Sequence, residues 1–149
     1  MAKVKYDMMD SDLASAVLSE AKSVYGLKTY ISLFSSAGVG CYGFKEEGFY
    51  CIATVELLER RLKIQSYNHK CAYKSGYICG DMTLQETKDK VFNELTLWKS
   101  ALNVTDLDVL IATPPCQGMS VANHKKKDEL KRNSLVVESI KMTQQIKPK

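Results

Sequence analysis

The stretch Thr29-Tyr30-Ile31-Ser32-Leu33-Phe34-Ser35-Ser36-Ala37-Gly38-Val39-Gly40 decides the fold. Its first half, residues 29–34 (TYISLF), is short, apolar and rich in β-favouring side chains, as expected of a strand buried on both faces. Its second half is a loop of small residues running into an apolar helix start. Such a loop lets the backbone approach a ligand closely and presents helix N–H groups to it. Small-residue turns are common, so taken alone it reads equally as a tight turn. Outward from this stretch the strand pattern recurs at residues 50–55 (YCIATV), Tyr77–Cys79 and residues 107–112 (LDVLIA). Residues 57–68, 84–102 and 134–146 carry helical periodicity. In the second of these, Val91, Leu95, Trp98 and Leu102 recur at three- to four-residue spacing and should line one buried face. Strands alternating with helices predict an α/β fold: a mostly parallel sheet, flanking helices and right-handed crossovers.

A helical segment is expected ahead of the first strand, within residues 1–28. Asp10, Ser11 and Asp12 offer N-caps, Leu13, Ala16, Val17 and Val24 form an apolar stripe, and Gly26 is a natural stop. This helix should cover one face of the sheet.

The chain of 149 residues is long enough for a domain with its own core. With 45% hydrophobic and 26% charged residues it has an ordinary globular composition. No apolar run is long enough to span a bilayer. Met1-Ala2-Lys3-Val4-Lys5 leads into charge rather than an apolar signal core, so secretion is not expected and a cytoplasmic protein is. Five cysteines without a C-x-x-C pair argue against a disulfide framework and a zinc ribbon; no metal site is expected. Cys41, Cys51, Cys71 and Cys79 read as small buried apolar groups in a reducing compartment. The net charge of +4 is compatible with a nucleic-acid partner without requiring one.

Two acids follow strand ends. Glu56 closes the second strand, roughly twenty residues beyond the loop, where nucleotide-binding α/β folds place a carboxylate for ribose hydroxyls. Gly80-Asp81 closes the third. Each acid alone reads as a cap or first-turn residue, which the helix dipole also favours. With the loop they make three strand ends on the carboxyl edge of one sheet, where open α/β sheets bind ligands.

The fourth strand exits through Thr113-Pro114-Pro115-Cys116-Gln117-Gly118-Met119-Ser120. The two prolines cannot continue a ladder and stiffen the exit. A thiol on such a turn is well placed as a nucleophile. Its setting differs from the other cysteines: His124, Lys125, Lys126, Lys127, Lys131 and Arg132 trail it, and nearby positive charge favours the thiolate. The basic run also reads as a solvated loop.

In this order the signals resemble the cytosine-C5 DNA methyltransferase family. Residues 31–40 (ISLFSSAGVG) look like its first, cofactor-binding motif, and Val55-Glu56 matches the second. Gly80-Asp81-Met82-Thr83 is similar to the third, and Pro114-Pro115-Cys116-Gln117 with Ser120 matches the catalytic motif. Arg132-Asn133-Ser134-Leu135 and the helix ending Ile146-Lys147-Pro148-Lys149 resemble the fifth. The resemblance covers residues 29–149. It implies a Rossmann-like S-adenosylmethionine-dependent methyltransferase fold, here the N-terminal part of the catalytic domain. Under it Phe34 contacts adenine, and the backbone of Ala37, Gly38 and Gly40 cradles the methionine part. Glu56 binds the ribose hydroxyls, Leu57 packs on adenine, Asp81 accepts from the adenine amino group, and Met82 lies beside the ring. Pro115 and Leu135 complete the pocket. Cys116 is the catalytic thiol: it adds to carbon 6 of a flipped cytosine so that carbon 5 can take the methyl group. Double-stranded DNA is the implied partner, with Gln117, Ser120, Lys125, Lys126, Lys127 and Arg132 as candidate contacts.

The sequence departs from the family pattern in places. Ser32 stands where many members have Asp, and Ser36 where Gly is usual. The Glu-Asn-Val motif, whose Glu holds cytosine N3, has no counterpart: no Glu follows Glu138, which sits in a helical pattern. The Arg-x-Arg motif, the target-recognition region and the C-terminal helix also have none. This chain by itself is therefore expected to show little or no methyl transfer. A shortened chain and one subunit of a split enzyme, completed by a second polypeptide, both fit. The alternative reading is a non-catalytic cofactor- or DNA-binding module derived from the family. An RNA cytosine methyltransferase of the same fold is a lesser reading. An unrelated thiol enzyme would need a histidine base, and only His69 and His124 are present. Restriction–modification is the biological setting the family suggests.

Overall fold

Strands β1 (Lys28–Leu33), β2 (Phe49–Glu56), β3 (Tyr77–Cys79) and β4 (Val109–Ala112) form one sheet in the order β3-β2-β1-β4, every neighbouring pair parallel. Among the described residues, helices α1 (Tyr42–Glu46), α2 (Glu59–Tyr67), α3 (Gln85–Leu102) and α4 (Glu129–Ile146) flank or connect them, and helical residues also precede β1. The structure is a computed structural model that describes residues 16, 18–20, 22, 26–115 and 129–149, with 129–133 as backbone only. The expected Rossmann-like α/β architecture is present. Most boundaries shift by one or two residues: the fourth strand pairs only from Val109 and α2 starts at Glu59, while the last helix begins at Glu129 rather than 134.

Burial on both faces explains why the central strands lack a polar side. In β1 every residue after Lys28 is buried. Ile31 and Leu33 face an apolar layer with Val91, Trp98 and Leu102 of α3 and Met142 of α4. The expected inward stripe of α3 is observed, with Leu95 half-buried at its margin. Leu18 joins the same layer at 0% exposure, whereas Ala16 of the N-terminal helix's expected apolar stripe is exposed; Asp10, Ser11, Asp12, Leu13, Val17 and Val24 lie outside the described residues. Gly26, at φ 70°, donates its amide to Lys22 O at 3.1 Å and ends that helix. Asn103 ends α3 in the left-handed region, and Lys22 Nζ donates to the Leu102 and Asn103 carbonyls, placing a cation where the helix dipole favours one. On the opposite face Tyr30, Cys41, Cys51 and Cys71 form a second cluster with Phe44 of α1. Cys79 departs from the expected burial: at the end of β3 it is exposed.

The β1–β2 register steps by one between Tyr30 and Ile31: Tyr30 pairs with Cys51 and Ile31 with Ala53, leaving Ile52 as an extra residue. The extra carbonyl lies against Gly76, where a Cβ would sit 2.6 Å from Ile52 O. Backbone cannot rotate aside, so Gly76→Ala should cost about 1–3 kcal/mol in urea unfolding. The same change at Gly43, where a Cβ meets nothing within 4 Å, should be neutral or slightly stabilising.

Candidate active site

Because all four strands run parallel, their carboxyl ends share one rim. The residues that follow them, Phe34, Leu57, Gly80 and Thr113, all border a single cleft of about 580 Å³. Phe34 and Ser36 enter from the first loop, Glu56, Leu57 and Arg61 from the β2–α2 junction, and Asp81 and Met82 from the β3–α3 turn. Thr113 and Pro115 come from the exit of β4, and Leu135 from α4.

The first loop turns sharply to achieve this. Phe34 and Ser36 lie at φ 56° and 51°, the left-handed region that costs an L-residue about 1–2 kcal/mol. Neighbouring bonds hold the bend. Thr113 Oγ1 donates to Phe34 O (3.0 Å), Thr113 N to Leu33 O (3.2 Å), and Ser35 N to Val55 O (3.0 Å). Ser36, where the resemblance led to an expected glycine, thus has a backbone conformation that glycine adopts without strain.

Glu56 is the electrostatic centre. It is 5% exposed, and three donors converge on its carboxylate: Ser36 N (2.8 Å), Leu58 N (3.1 Å) and the Arg61 guanidinium (3.3 Å). A carboxylate offers about four acceptor positions, so capacity remains toward the cleft. Asp81 has a local role as well, its Oδ1 accepting from Thr83 N (2.9 Å) and Thr83 Oγ1 (2.8 Å). It caps the turn preceding α3 and borders the cleft. Met82, 2% exposed, floors the cleft from within the core, whereas Leu57 is 61% exposed on its wall.

The structure therefore brings together Phe34, Glu56, Leu57, Asp81, Met82, Pro115 and Leu135. It does not bring Ala37, Gly38 and Gly40 to the same wall. Ala37 and Gly38 line a second cavity of about 150 Å³ behind the loop, with Tyr30, Gln65 and Lys70, and Gly40 borders neither. Cys116, Gln117, Ser120, Lys125, Lys126 and Lys127 lie outside the described residues, and of Arg132 only the helical backbone is described. Among the described thiols, Cys71 is excluded as a nucleophile by its setting: burial pushes it well above the ordinary thiol value. No group of three His, Cys, Asp or Glu side chains among the described residues is arranged to hold a metal ion. No described helix is long and apolar enough to cross a membrane.

Three contributors were not singled out from the sequence. Arg61 and Thr113 carry no motif signal of their own. Gln65 did leave a trace, three residues after Leu62 on the buried face of α2.

The cleft's chemistry fits an adenosine-bearing cofactor: two carboxylates for hydroxyl and amino donors stand among the apolar walls of Phe34, Leu57, Met82 and Leu135.

A family profile described as C-5 cytosine-specific DNA methylase matches residues 28–149. The type II methyltransferase M1.HgaI of Avibacterium volantium is 37% identical over 135 residues, covering 85% of this chain and 33% of that protein. A DNA-cytosine methyltransferase of Escherichia coli is 30% identical over 106 residues, covering 69% of this chain and 22% of its own. The type II methyltransferase M.AquIA of Picosynechococcus sp. is 29% identical over 122 residues, covering 82% and 46%. The chain thus spans less than half the length of each of these relatives. The profile runs from β1 to the last residue, taking in all four strand ends that border the cleft, and the chain belongs to the C-5 cytosine-specific DNA methylase family.

Proposed function

We propose that this chain supplies the cofactor-binding and nucleophile-bearing part of a DNA cytosine-5 methyltransferase. The observation that carries this reading is the convergence of Glu56, Asp81, Thr113 and Pro115 at one cleft, with Pro115 next in sequence to Cys116. In this reading Glu56 accepts from ribose hydroxyls, Asp81 from the adenine amino group, and Phe34, Leu57, Met82, Pro115 and Leu135 enclose the ring. S-adenosylmethionine, bound there, supplies an electrophilic methyl group. The backbone of Ala37, Gly38 and Gly40 would reach the methionine part only if the loop turned further toward the cleft.

The thiol explains how carbon 5 becomes nucleophilic. Cys116 thiolate adds to carbon 6 of cytosine, and the ring electrons shift to make carbon 5 enamine-like. After methyl transfer, loss of the carbon-5 proton returns an electron pair that expels the thiolate. The base must leave the duplex to reach the sulfur. Gln117, Ser120, Lys125, Lys126, Lys127 and Arg132 are assigned to the DNA, the lysines as phosphate contacts. A second polypeptide carrying further motifs belongs to the same reading. β4 is consistent with it: like β3 it is an edge of the described sheet, and all four of its residues are half-buried. Free thiols among the described residues and the proposed DNA substrate fit a reducing, cytoplasmic setting.

Trapping tests the proposal. The chain, alone and with the product of its neighbouring gene, is mixed with S-adenosylmethionine and duplex DNA containing 5-fluorocytosine. Fluorine cannot leave as a proton does, so the adduct should persist in denaturing gels and map to Cys116. Cys116→Ser should abolish it. Cofactor binding without an adduct in either mixture would instead identify a non-catalytic module.

A further inference from the structure

Behind the cofactor loop a run of polar side chains crosses the interior. Lys70 Nζ donates to Thr54 Oγ1 (2.9 Å), and Thr54 Oγ1 donates to Gln65 Oε1 (2.7 Å). Gln65 Nε2 donates to Ser35 Oγ (2.8 Å) and to Ser36 O (2.6 Å), and Ser35 Oγ donates to Val55 O (3.1 Å). Lys70 Nζ also reaches Gln65 Oε1 directly (3.0 Å). Gln65 is 1% exposed, and its amide has one orientation: two donors face the oxygen and two acceptors face the nitrogen. Successive bonds along such a run polarise one another.

The run ends on the strained residue. Ser36 at φ 51° persists only if its surroundings over-determine it. Its carbonyl is held from behind by Gln65 and its amide from the cleft side by Glu56. Gly38 closes over the same side chain, where a Cβ would sit 2.9 Å from Gln65 Cγ. No other side-chain bond to Ser36 is described.

We propose that Gln65, oriented by Thr54 and Lys70, is a positioning residue for the cofactor: it sets the Ser35–Ser36 backbone so that Glu56 is presented to the cleft. It touches no part of the cleft itself; it acts through the loop. The inference rests on the proposed occupation of the cleft by S-adenosylmethionine, and the experiment separates the two.

Gln65→Glu is the informative variant. Its carboxylate keeps acceptors for Thr54 and Lys70 but cannot donate to Ser35 Oγ or Ser36 O. Gln65→Met removes all four bonds at similar volume, and Lys70→Met loosens only the orienting end. Urea unfolding, hydrogen exchange over residues 34–41 and calorimetric titration with S-adenosylhomocysteine are read for each. Gln65→Glu should lower the urea midpoint, since Ser36 O loses its donor at a buried site, and beyond that global loss it should exchange the Ser36 and Gly38 amides faster and bind about tenfold or more weakly. Lys70→Met should show the same loop effect to a smaller degree. Unchanged exchange in Gln65→Glu and Gln65→Met overturns the proposal, whether or not the wild type binds. Faster exchange with unchanged affinity overturns the link to the cofactor. A wild type that fails to bind while exchange responds to Gln65 overturns the reading of the cleft and leaves the loop clamp standing.

Discussion

Trp98→Ala should destabilise the chain by about 3–5 kcal/mol, read from urea unfolding followed by circular dichroism. The chain has one tryptophan, at 0% exposure, where α3 meets the sheet. Its ring stands edge-on to Tyr73, with centroids 5.5 Å apart and planes at 88°. Truncation leaves a cavity walled by strands whose neighbours on both sides hold them in place, so little of it can collapse. The indole N–H has no partner among the described residues. Trp98→Phe therefore removes no hydrogen bond and should cost less than about 1.5 kcal/mol. A loss as large as that of the alanine variant would mean the N–H is satisfied after all. A marginal chain with only about 5–15 kcal/mol in hand has little room for the first change and ample room for the second.

Glu56→Ala should abolish measurable cofactor binding and also cost about 2–4 kcal/mol of stability. The two effects have separate causes. The stability loss comes from the Ser36 and Leu58 amides, which lose their acceptor at a buried site. The affinity loss comes from the ribose bonds assigned to the carboxylate; two charge-assisted bonds of about 1.5 kcal/mol each amount to more than a hundredfold. Arg61→Met separates these from simple charge pairing. Arg61 is 43% exposed at its side chain, so its ion pair is worth under about 1 kcal/mol and its loss should change both readings little. Calorimetry with S-adenosylhomocysteine gives the affinities. If Glu56→Ala binds as the wild type does, the carboxylate is a structural bracket for the loop and the ribose assignment is wrong.

Much of the fold was legible because the deciding signals are local. β1 and β2 are mostly apolar and buried on both faces, a pattern that only a covered sheet tolerates, and the α3 stripe at Val91, Trp98 and Leu102 sits where its spacing placed it. Gly26 stops its helix as expected. Less legible were features that depend on distant neighbours. Cys79 looks as apolar as the other thiols, but β3 is short and lies at the sheet edge, so its last residue faces solvent. The start of α4 at Glu129 lies in a stretch whose residues carry no apolar periodicity, so the sequence placed it too late.

The candidate site divides the same way. Glu56, Asp81 and Pro115 were readable because a parallel sheet delivers every strand end to one rim, and sequence order alone says which residues end strands. That rim, and with it the family, was determined by sequence. The loop was not. Its course depends on left-handed backbone at Phe34 and Ser36, on the extra residue at Ile52, and on Gln65, which reaches Ser35 across 30 positions of chain. Periodicity reports whether a residue faces inward; it does not report which buried polar atom meets which. Those pairings exist only once the chain has closed, because an isolated Ser36 has no reason to enter the left-handed region until Gln65 and Glu56 hold it there from opposite sides.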